Sequence, residues 1–407
     1  MPFIFDIDFG LATLPIEPGI LLIRGARQYG KSTWLQKQLK ETIIEFGPGS
    51  AFYLNGDFIL TQDKLEHEIE ILLYAFPKNQ TIKRIFIDEV TAIPQWEMAL
   101  KRLADTGKIR DILIITTGSN AVDLRRGAER LPGRKGKLTR TNYLFTPISY
   151  RSFQRTCHQT LGQHTLTAYL LSGGSPIACA ELASHGTIPE YVIEMSRDWI
   201  DGEIIRTGRN RLSLHNILQT LFRFGGNPVS QAKIAREASL ANNTIAANYL
   251  AILQDLGVVL PSYSWDANKN QPILRKPCKY PFTNLLAAIA YYPQSPHSIE
   301  DFENLPKQQQ GMWIEWLVAQ EIQRQLAVTG QSILAPQAFW QSSTHEADFV
   351  LAPGQFIEVK RGQCTALEYS WFHQSLPNSH LTIINKNTFE TEQISGITLA
   401  QFLLKVS

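Results

Sequence analysis

Cysteine is scarce. The 407-residue chain has 4, at Cys157, Cys179, Cys278 and Cys364, far apart and with no CxxC pair. That spacing excludes a zinc ribbon, argues against a disulfide framework and fits a reducing compartment. An excess of one charge is also lacking. Lys+Arg 39 against Asp+Glu 37 leaves a net charge of +2, so bulk charge points to no class of partner and only local patches can. No stretch reaches the roughly 18 uncharged apolar residues of a membrane span. The richest run, Asn284 to Tyr292, is too short. The opening residues, Met1-Pro2-Phe3-Ile4-Phe5-Asp6, have neither the basic region nor the apolar core of a secretory signal, so a cytoplasmic location is expected. Internal repeats and low-complexity tracts are missing. What remains is ordinary globular composition, 44% hydrophobic and 19% charged, long enough for two to three domains at about 150 residues each.

The first 145 residues alternate apolar runs with helix-like runs. Ile20-Leu21-Leu22-Ile23, Ala51-Phe52-Tyr53-Leu54, Arg84-Ile85-Phe86-Ile87 and Ile112-Leu113-Ile114-Ile115 read as buried strands, and 32–44 and 65–76 read as helices. Continuous apolar strands separated by helices imply an α/β fold with a parallel sheet covered on both faces. From Tyr150 to about Thr207 the pattern turns helical, broken at Gly173-Gly174-Ser175-Pro176. Residues 212–260 look like a compact helical unit and 261–296 like an irregular connector. A long amphipathic helix is predicted over 303–329, with short strands at 347–351 and 355–359.

Gly25-Ala26-Arg27-Gln28-Tyr29-Gly30-Lys31-Ser32 fits G-x-x-x-x-G-K-[ST], between a strand and a helix. The glycines let successive N–H groups curl inward toward phosphate oxygens, and the helix start adds its unpaired N–H groups and positive dipole end. Residues 25–33, Thr33 included, are therefore the expected nucleotide cradle. Lys31 is expected on the β/γ-phosphates and the Ser32 hydroxyl on Mg²⁺. The strand ending in Asp88-Glu89 is expected beside the phosphate-loop strand, opening on the same crevice. Asp88 would hold Mg²⁺ through water, and Glu89 would orient and deprotonate the attacking water. The next buried strand ends in Thr116-Thr117-Gly118-Ser119-Asn120. Thr117, Ser119 and Asn120 are all candidates for bonding the γ-phosphate or the water, and spacing does not choose among them. Beyond lies a basic run, Arg125, Arg126, Arg130, Arg134, Lys135, Lys137 and Arg140 against the single acid Glu129. It suits an arginine near the leaving charge, nucleic-acid phosphate, or a solvated loop.

These motifs together resemble the prokaryotic AAA-type ATPases of the archaeal type. The matching residues are Gly-Ala-Arg-Gln-Tyr-Gly-Lys-Ser-Thr at 25–33, Ile-Asp-Glu at 87–89, Thr-Gly-Ser-Asn at 117–120 and Arg130-Leu131-Pro132-Gly133-Arg134. Pro147-Ile148-Ser149-Tyr150-Arg151-Ser152-Phe153 is similar to that group's Pro-Leu-Ser-Phe-x-x-Phe, with mild departures at Ile148 and Tyr150, and Gly173-Gly174-Ser175-Pro176 to its Gly-Gly-x-Pro. The resemblance implies an oligomerising ATPase core (1–148), a helical lid (149–210), a winged-helix-like unit (211–265), a connector (266–300) and a restriction-endonuclease-like domain (301–407). It also implies an arginine finger supplied by a neighbouring copy, matched by Arg134 with Arg130 second. ATP and Mg²⁺ are the expected cofactors, and Asn120 joins Lys31, Glu89 and the two arginines in the expected catalytic set.

Two later segments carry chemistry. Residues 230–238 and 244–253 read as a helix-turn-helix, followed at Leu256-Gly257-Val258-Val259 by the start of a β-wing. The second helix contains no Lys or Arg, and only Thr244 and Asn248 suit base edges, so a packing or protein-contact role outweighs DNA reading. Near the C-terminus, Asp348 and Glu358 sit on consecutive apolar runs, expected as a hairpin through Pro353-Gly354, with Lys360 on the same face as Glu358. Two carboxylates chelate Mg²⁺ and a lysine steadies phosphorane charge. The set resembles the D…ExK centre of restriction-endonuclease-like nucleases, in which Glu315 matches the first-helix glutamate. A charged surface hairpin is the plain alternative. Trp313, Trp316, Trp340 and Trp371 read as core. The leading expectation is a Mg²⁺-dependent ATPase acting on or near DNA. The alternative is an ATP-switched regulator or scaffold that binds a protein partner of unknown identity, without cleavage.

Overall fold

The computed structural model describes residues 3–119, 136–331 and 336–407. It divides into two units, one of residues 8–146 with 326–333, the other of 1–7, 147–325 and 334–407.

The first unit is built on strands β1 (Gly19–Arg24), β2 (Ala51–Asn55), β3 (Arg84–Asp88), β4 (Leu113–Gly118) and β5 (Asn142–Leu144). Among the described residues they form one parallel sheet in the order β2-β3-β4-β1-β5. The helices are α1 (Lys31–Phe46), α2 (Gln62–Ala75) and α3 (Trp96–Asp105). Helix α2 starts where the Thr61 hydroxyl accepts the Lys64 N–H at 3.2 Å. Helix α3 buries Trp96, Ala99, Leu100 and Leu103, the i, i+3, i+4, i+7 stripe of one face. They pack with Ile20, Leu22, Ile85, Ile87 and Ile114 of the sheet into one apolar cluster. Each fully buried Leu or Ile there contributes about 1.5–3 kcal/mol.

One expectation is corrected. Strand β3 does not lie beside the phosphate-loop strand β1; β4 stands between them, with Ile115 paired to Leu21 on one side and Phe86 on the other. Strand β4 is buried along its whole length, and a central position in a parallel sheet demands apolar side chains on both faces. The three strands still end at one edge, with Ile87 level with Thr116 and Arg24 level with Gly118.

The second unit begins with helices α4 (Tyr150–Leu161), α5 (Thr165–Ser172), α6 (Pro176–His185), α7 (Glu190–Arg206) and α8 (Arg211–Phe224). The pair α9 (Gln231–Glu237) and α10 (Asn243–Asp255) follows. Ser230 caps α9 through the Lys233 N–H, and Asn242 caps α10 through the Ile245 N–H. The stretch read as irregular holds an antiparallel pair, β6 (Ser262–Asp266) and β7 (Gln271–Ile273), then α11 (Leu285–Tyr291). Helix α12 (Ile299–Asn304) is separate from the long α13 (Lys307–Thr329). Pro306 forces the preceding Leu305 into extended backbone, so the helix predicted from 303 starts four residues later.

Beyond come β8 (Gln337–Gln341), β9 (Glu346–Ala347), β10 (Phe349–Ala352), β11 (Gln355–Val359), the short α14 (Trp371–Ser375), β12 (His380–Asn385), β13 (Phe389–Glu390), β14 (Ile394–Thr398) and α15 (Leu399–Lys405). Strands β10 and β11 form the expected hairpin around Pro353-Gly354, in a sheet ordered β10-β11-β12-β14-β13. A second sheet runs β7-β6-β8-β9. Asp348 sits at the hand-over between them, because β9 pairs with β8 and β10 with β11. Trp313, Trp316 and Trp340 are buried, and Trp371 stacks on Trp340.

Candidate functional sites

At the C-terminal edge of the first sheet, the chain leaves β1 through residues 25–30 and enters α1. Gly25 is required by contact. A Cβ there would lie 2.8 Å from the Phe145 carbonyl oxygen, so only glycine lets the loop pass β5. Gly30 and Gln28 are left-handed, with φ 98° and 62°. Arg27 and Gln28 are exposed, Ala26 is partly covered and Tyr29 is buried. Lys31 is buried, and its Nζ donates to the carbonyls of Gly25 at 2.9 Å and Ala26 at 2.8 Å. Burial lowers its pKa to about 8, against the opposing pull of Glu89 and Asp88. Ser32 is partly covered in the first turn of α1, and Thr33 beside it is exposed.

The two acids are held by neighbours. Buried Asp88 accepts hydrogen bonds from the Thr117 hydroxyl and, at 3.1 Å, from the Tyr53 hydroxyl. Burial and then the Asp88 charge push the Tyr53 phenol up to about 12. Glu89 has left-handed backbone, φ 45°, uncommon for a side chain of its size. Its carboxylate accepts from the Ser119 N–H at 3.1 Å and the Ser119 hydroxyl at 3.0 Å. Gly56, just after β2, packs on the Glu89 backbone, where a Cβ would come within 2.4 Å of the carbonyl oxygen.

The structure thus brings together the 25–33 loop, Asp88, Glu89, Thr117 and Ser119. Tyr53 and Gly56 were not foreseen; their only signal is position, since β2 ends level with Asp88. Asn120, Arg130 and Arg134 lie outside the described residues. Of the basic run, Lys137 is exposed, whereas Arg140 donates to the carbonyls of Asn142 and Val328 and lies 4.2 Å over the Tyr143 ring. Ser32 and Asp88 supply a hydroxyl and a carboxylate, the hard oxygen donors that suit Mg²⁺.

A second cluster gathers in the other unit. Val359 N–H donates to Asp348 at 2.9 Å, and Lys360 Nζ pairs with Glu358 at 2.5 Å. Arg361 donates to Gln310 at 2.7 Å, tying the end of β11 to α13, which carries Glu315. At the centre is an unforeseen residue, Lys279. Its ammonium, 4% exposed, lies 3.2 Å from Asp348, 3.4 Å from Glu346 and 3.8 Å from Glu315, and 5.2 Å over the Phe339 ring. Burial alone would lower the Lys279 pKa, but Asp348, Glu315 and Glu346 outweigh it and raise it. Burial, then the Asp348 charge, raise Glu315 to about 8, and the same two causes raise Glu358. Among the described residues no set of three Asp, Glu, His or Cys side chains is arranged to hold a metal ion. Asp348 and Glu315 therefore do assemble, but around a lysine, while Lys360 pairs with Glu358.

Residues 17–154 match the family model described as "AAA domain", and over that stretch the chain is similar to such domains. An uncharacterized protein of Methanocaldococcus jannaschii is 24% identical over 282 residues, 62% of this chain. The match spans only 58% of that relative's length. Two similar solved structures are the Walker-type ATPase PABY2304 of Pyrococcus abyssi and the ORC2 protein of Aeropyrum pernix in its ADPNP–ADP complexes. The first has TM-score 0.44 and 15% identity, covering 67% of this chain and 90% of that one. The second has TM-score 0.39 and 14% identity, covering 60% and 82%. No helix among the described residues is long and apolar enough to cross a membrane.

Proposed function

We propose that the chain is a Mg²⁺-dependent ATPase whose turnover changes the conformation of attached helical modules. The observation that carries this reading is the convergence of Lys31, Asp88 and Glu89 at one sheet edge, inside the stretch similar to AAA domains. Lys31, resting on the Gly25 and Ala26 carbonyls, exchanges them for β/γ-phosphate oxygens. The loop amides of 25–33 hold the remaining phosphate oxygens. Ser32 and Asp88 are the groups that would hold Mg²⁺, which when bound offsets the charge developing on the phosphates. Glu89 orients the attacking water and takes its proton. Thr117 and Ser119 hold Asp88 and Glu89, and together with Asn120 they are the candidates for sensing the γ-phosphate. Arg134, then Arg130, would reach the site of a neighbouring copy. Lys31→Ala is expected to weaken nucleotide binding. Glu89→Gln is expected to keep binding and slow turnover at least about 100-fold. Ordinary turnover in the Glu89 variant would assign water positioning to another residue.

For the output, one observation weighs against metal-dependent DNA cleavage, the Lys279 ammonium among the carboxylates, and the reading that remains is binding of a protein partner. The second reading, a nuclease built on Glu315, Asp348, Glu358 and Lys360, rests on their assembly in one cluster. ATPase assays with and without single- and double-stranded DNA separate the two. Metal-dependent strand cleavage that Asp348→Ala abolishes, with ATP turnover intact, would establish the nuclease.

A further inference from the structure

The C-terminal cluster is unusual in how its charge is compensated. A hydrated divalent ion is the ordinary partner of several buried carboxylates, because an isolated buried carboxylate is strongly disfavoured. Here a lysine from a remote segment takes that place. Lys279 reaches three acids from separate places in the fold, Glu315 of α13, Glu346 of β9 and Asp348 at the sheet hand-over. Its backbone is fixed as well. The Lys279 N–H donates to the Ser262 carbonyl at 3.0 Å, and the Ser262 N–H donates back at 2.8 Å. The preceding Cys278 makes the same two-way exchange with Val229, at 2.8 and 3.3 Å. Glu358 is 2% exposed; one of its oxygens takes Lys360, and the other, Oε2, meets no hydrogen-bond donor among the described residues. One carboxylate oxygen thus stays uncommitted beside a cluster whose other acids are held by ammonium groups.

We propose that Lys279 is the resident counter-cation of this centre and that its ammonium excludes divalent metal from the carboxylates. A divalent ion and Lys279 compete for the same oxygens, so the centre takes metal only when this side chain is withdrawn or absent. This inference concerns the second unit alone and stands independently of nucleotide chemistry in the first.

The test is Mn²⁺ titration of the full chain without nucleotide, read by the loss of free-ion electron paramagnetic resonance signal, with folding followed by circular dichroism. The wild type is expected to show no site that Asp348→Asn removes. Lys279→Met, which keeps an unbranched side chain of similar reach and drops its charge, is expected to gain one site at least about tenfold tighter than any in the wild type, lost again when Asp348→Asn is added. Lys279→Arg is expected to behave as wild type. Should Lys279→Met fail to fold, recovery of its fold on adding Mn²⁺ supports the proposal, and failure to recover overturns it. A wild-type site abolished by Asp348→Asn overturns it, as does a folded Lys279→Met chain without new Mn²⁺ affinity.

Discussion

Lys31 carries a proton linkage that its neighbours dictate. Burial holds its pKa near 8 while the side chain rests on loop carbonyls, and a bound triphosphate would restore the charged form. Binding at or above that pH must then take up a proton. Affinity for ATP should weaken as pH rises through about 8, by up to about tenfold per unit. Calorimetry at pH 8.5 in buffers of different ionisation enthalpy should give buffer-dependent heats. Lys31→Arg, which does not titrate, should lose that dependence; equal heats in the wild type would exclude Lys31 as the linked group. The sequence made Lys31 legible because a phosphate-binding turn constrains both residue type and spacing, and Asp88 and Glu89 because two carboxylates end an apolar strand. Lys279 was illegible for the opposite reason. Its partners, Glu315, Glu346 and Asp348, lie 36 to 69 positions away, and only its flanks Cys278 and Tyr280 hint that it is buried.

Among elements, strand composition foretold four strands of the first sheet, though not their order, and the three-residue β5 was missed. Runs such as Ile112–Ile115 declare burial on both faces, but β1, β3 and β4 are nearly interchangeable in that respect, so which takes the centre depends on packing between distant segments. The long helix was misjudged at its start because periodicity continued through Pro306 while backbone sterics did not. The β6–β7 pair was missed because Asn268, Lys269 and Asn270 at its tip and Pro272 within it resemble loop composition. At the end of β2, Gly56 has no room for a side chain against Glu89. Gly56→Ala should therefore displace the Glu89 backbone, cost about 1–3 kcal/mol and reduce ATP turnover more than ATP binding. Thermal unfolding and paired binding and turnover measurements check this; a variant with wild-type melting and turnover would show that the two strand ends part without cost.

On the scale of the whole molecule, two charge centres follow different logic. The first unit gathers acids that are held by hydrogen bonds from neighbouring strands. The second neutralises its acids internally, and this gives the folded chain a pH signature. Glu315 is raised from 4.5 to about 8, so between those values the folded state holds a proton that the unfolded state releases. Stability must then fall as pH climbs through that window, the reverse of an acid with a depressed pKa. Glu315→Gln, which keeps the neutral form, should lose that slope and exceed the wild type at pH 8 by on the order of 1 kcal/mol or more, with a smaller difference at pH 5. Urea unfolding at the two pH values measures it, and parallel slopes would rule out a buried neutral Glu315. The pairing of residues 278 and 279 has a mechanical outcome. Val229, which grips Cys278, directly precedes the cap of α9, while Ser262 grips Lys279 from β6. Tension applied to the helix pair would be delivered by this two-residue rivet to the ammonium itself, so that whatever tugs on α9 and α10 also tugs on the charge balance of the acids.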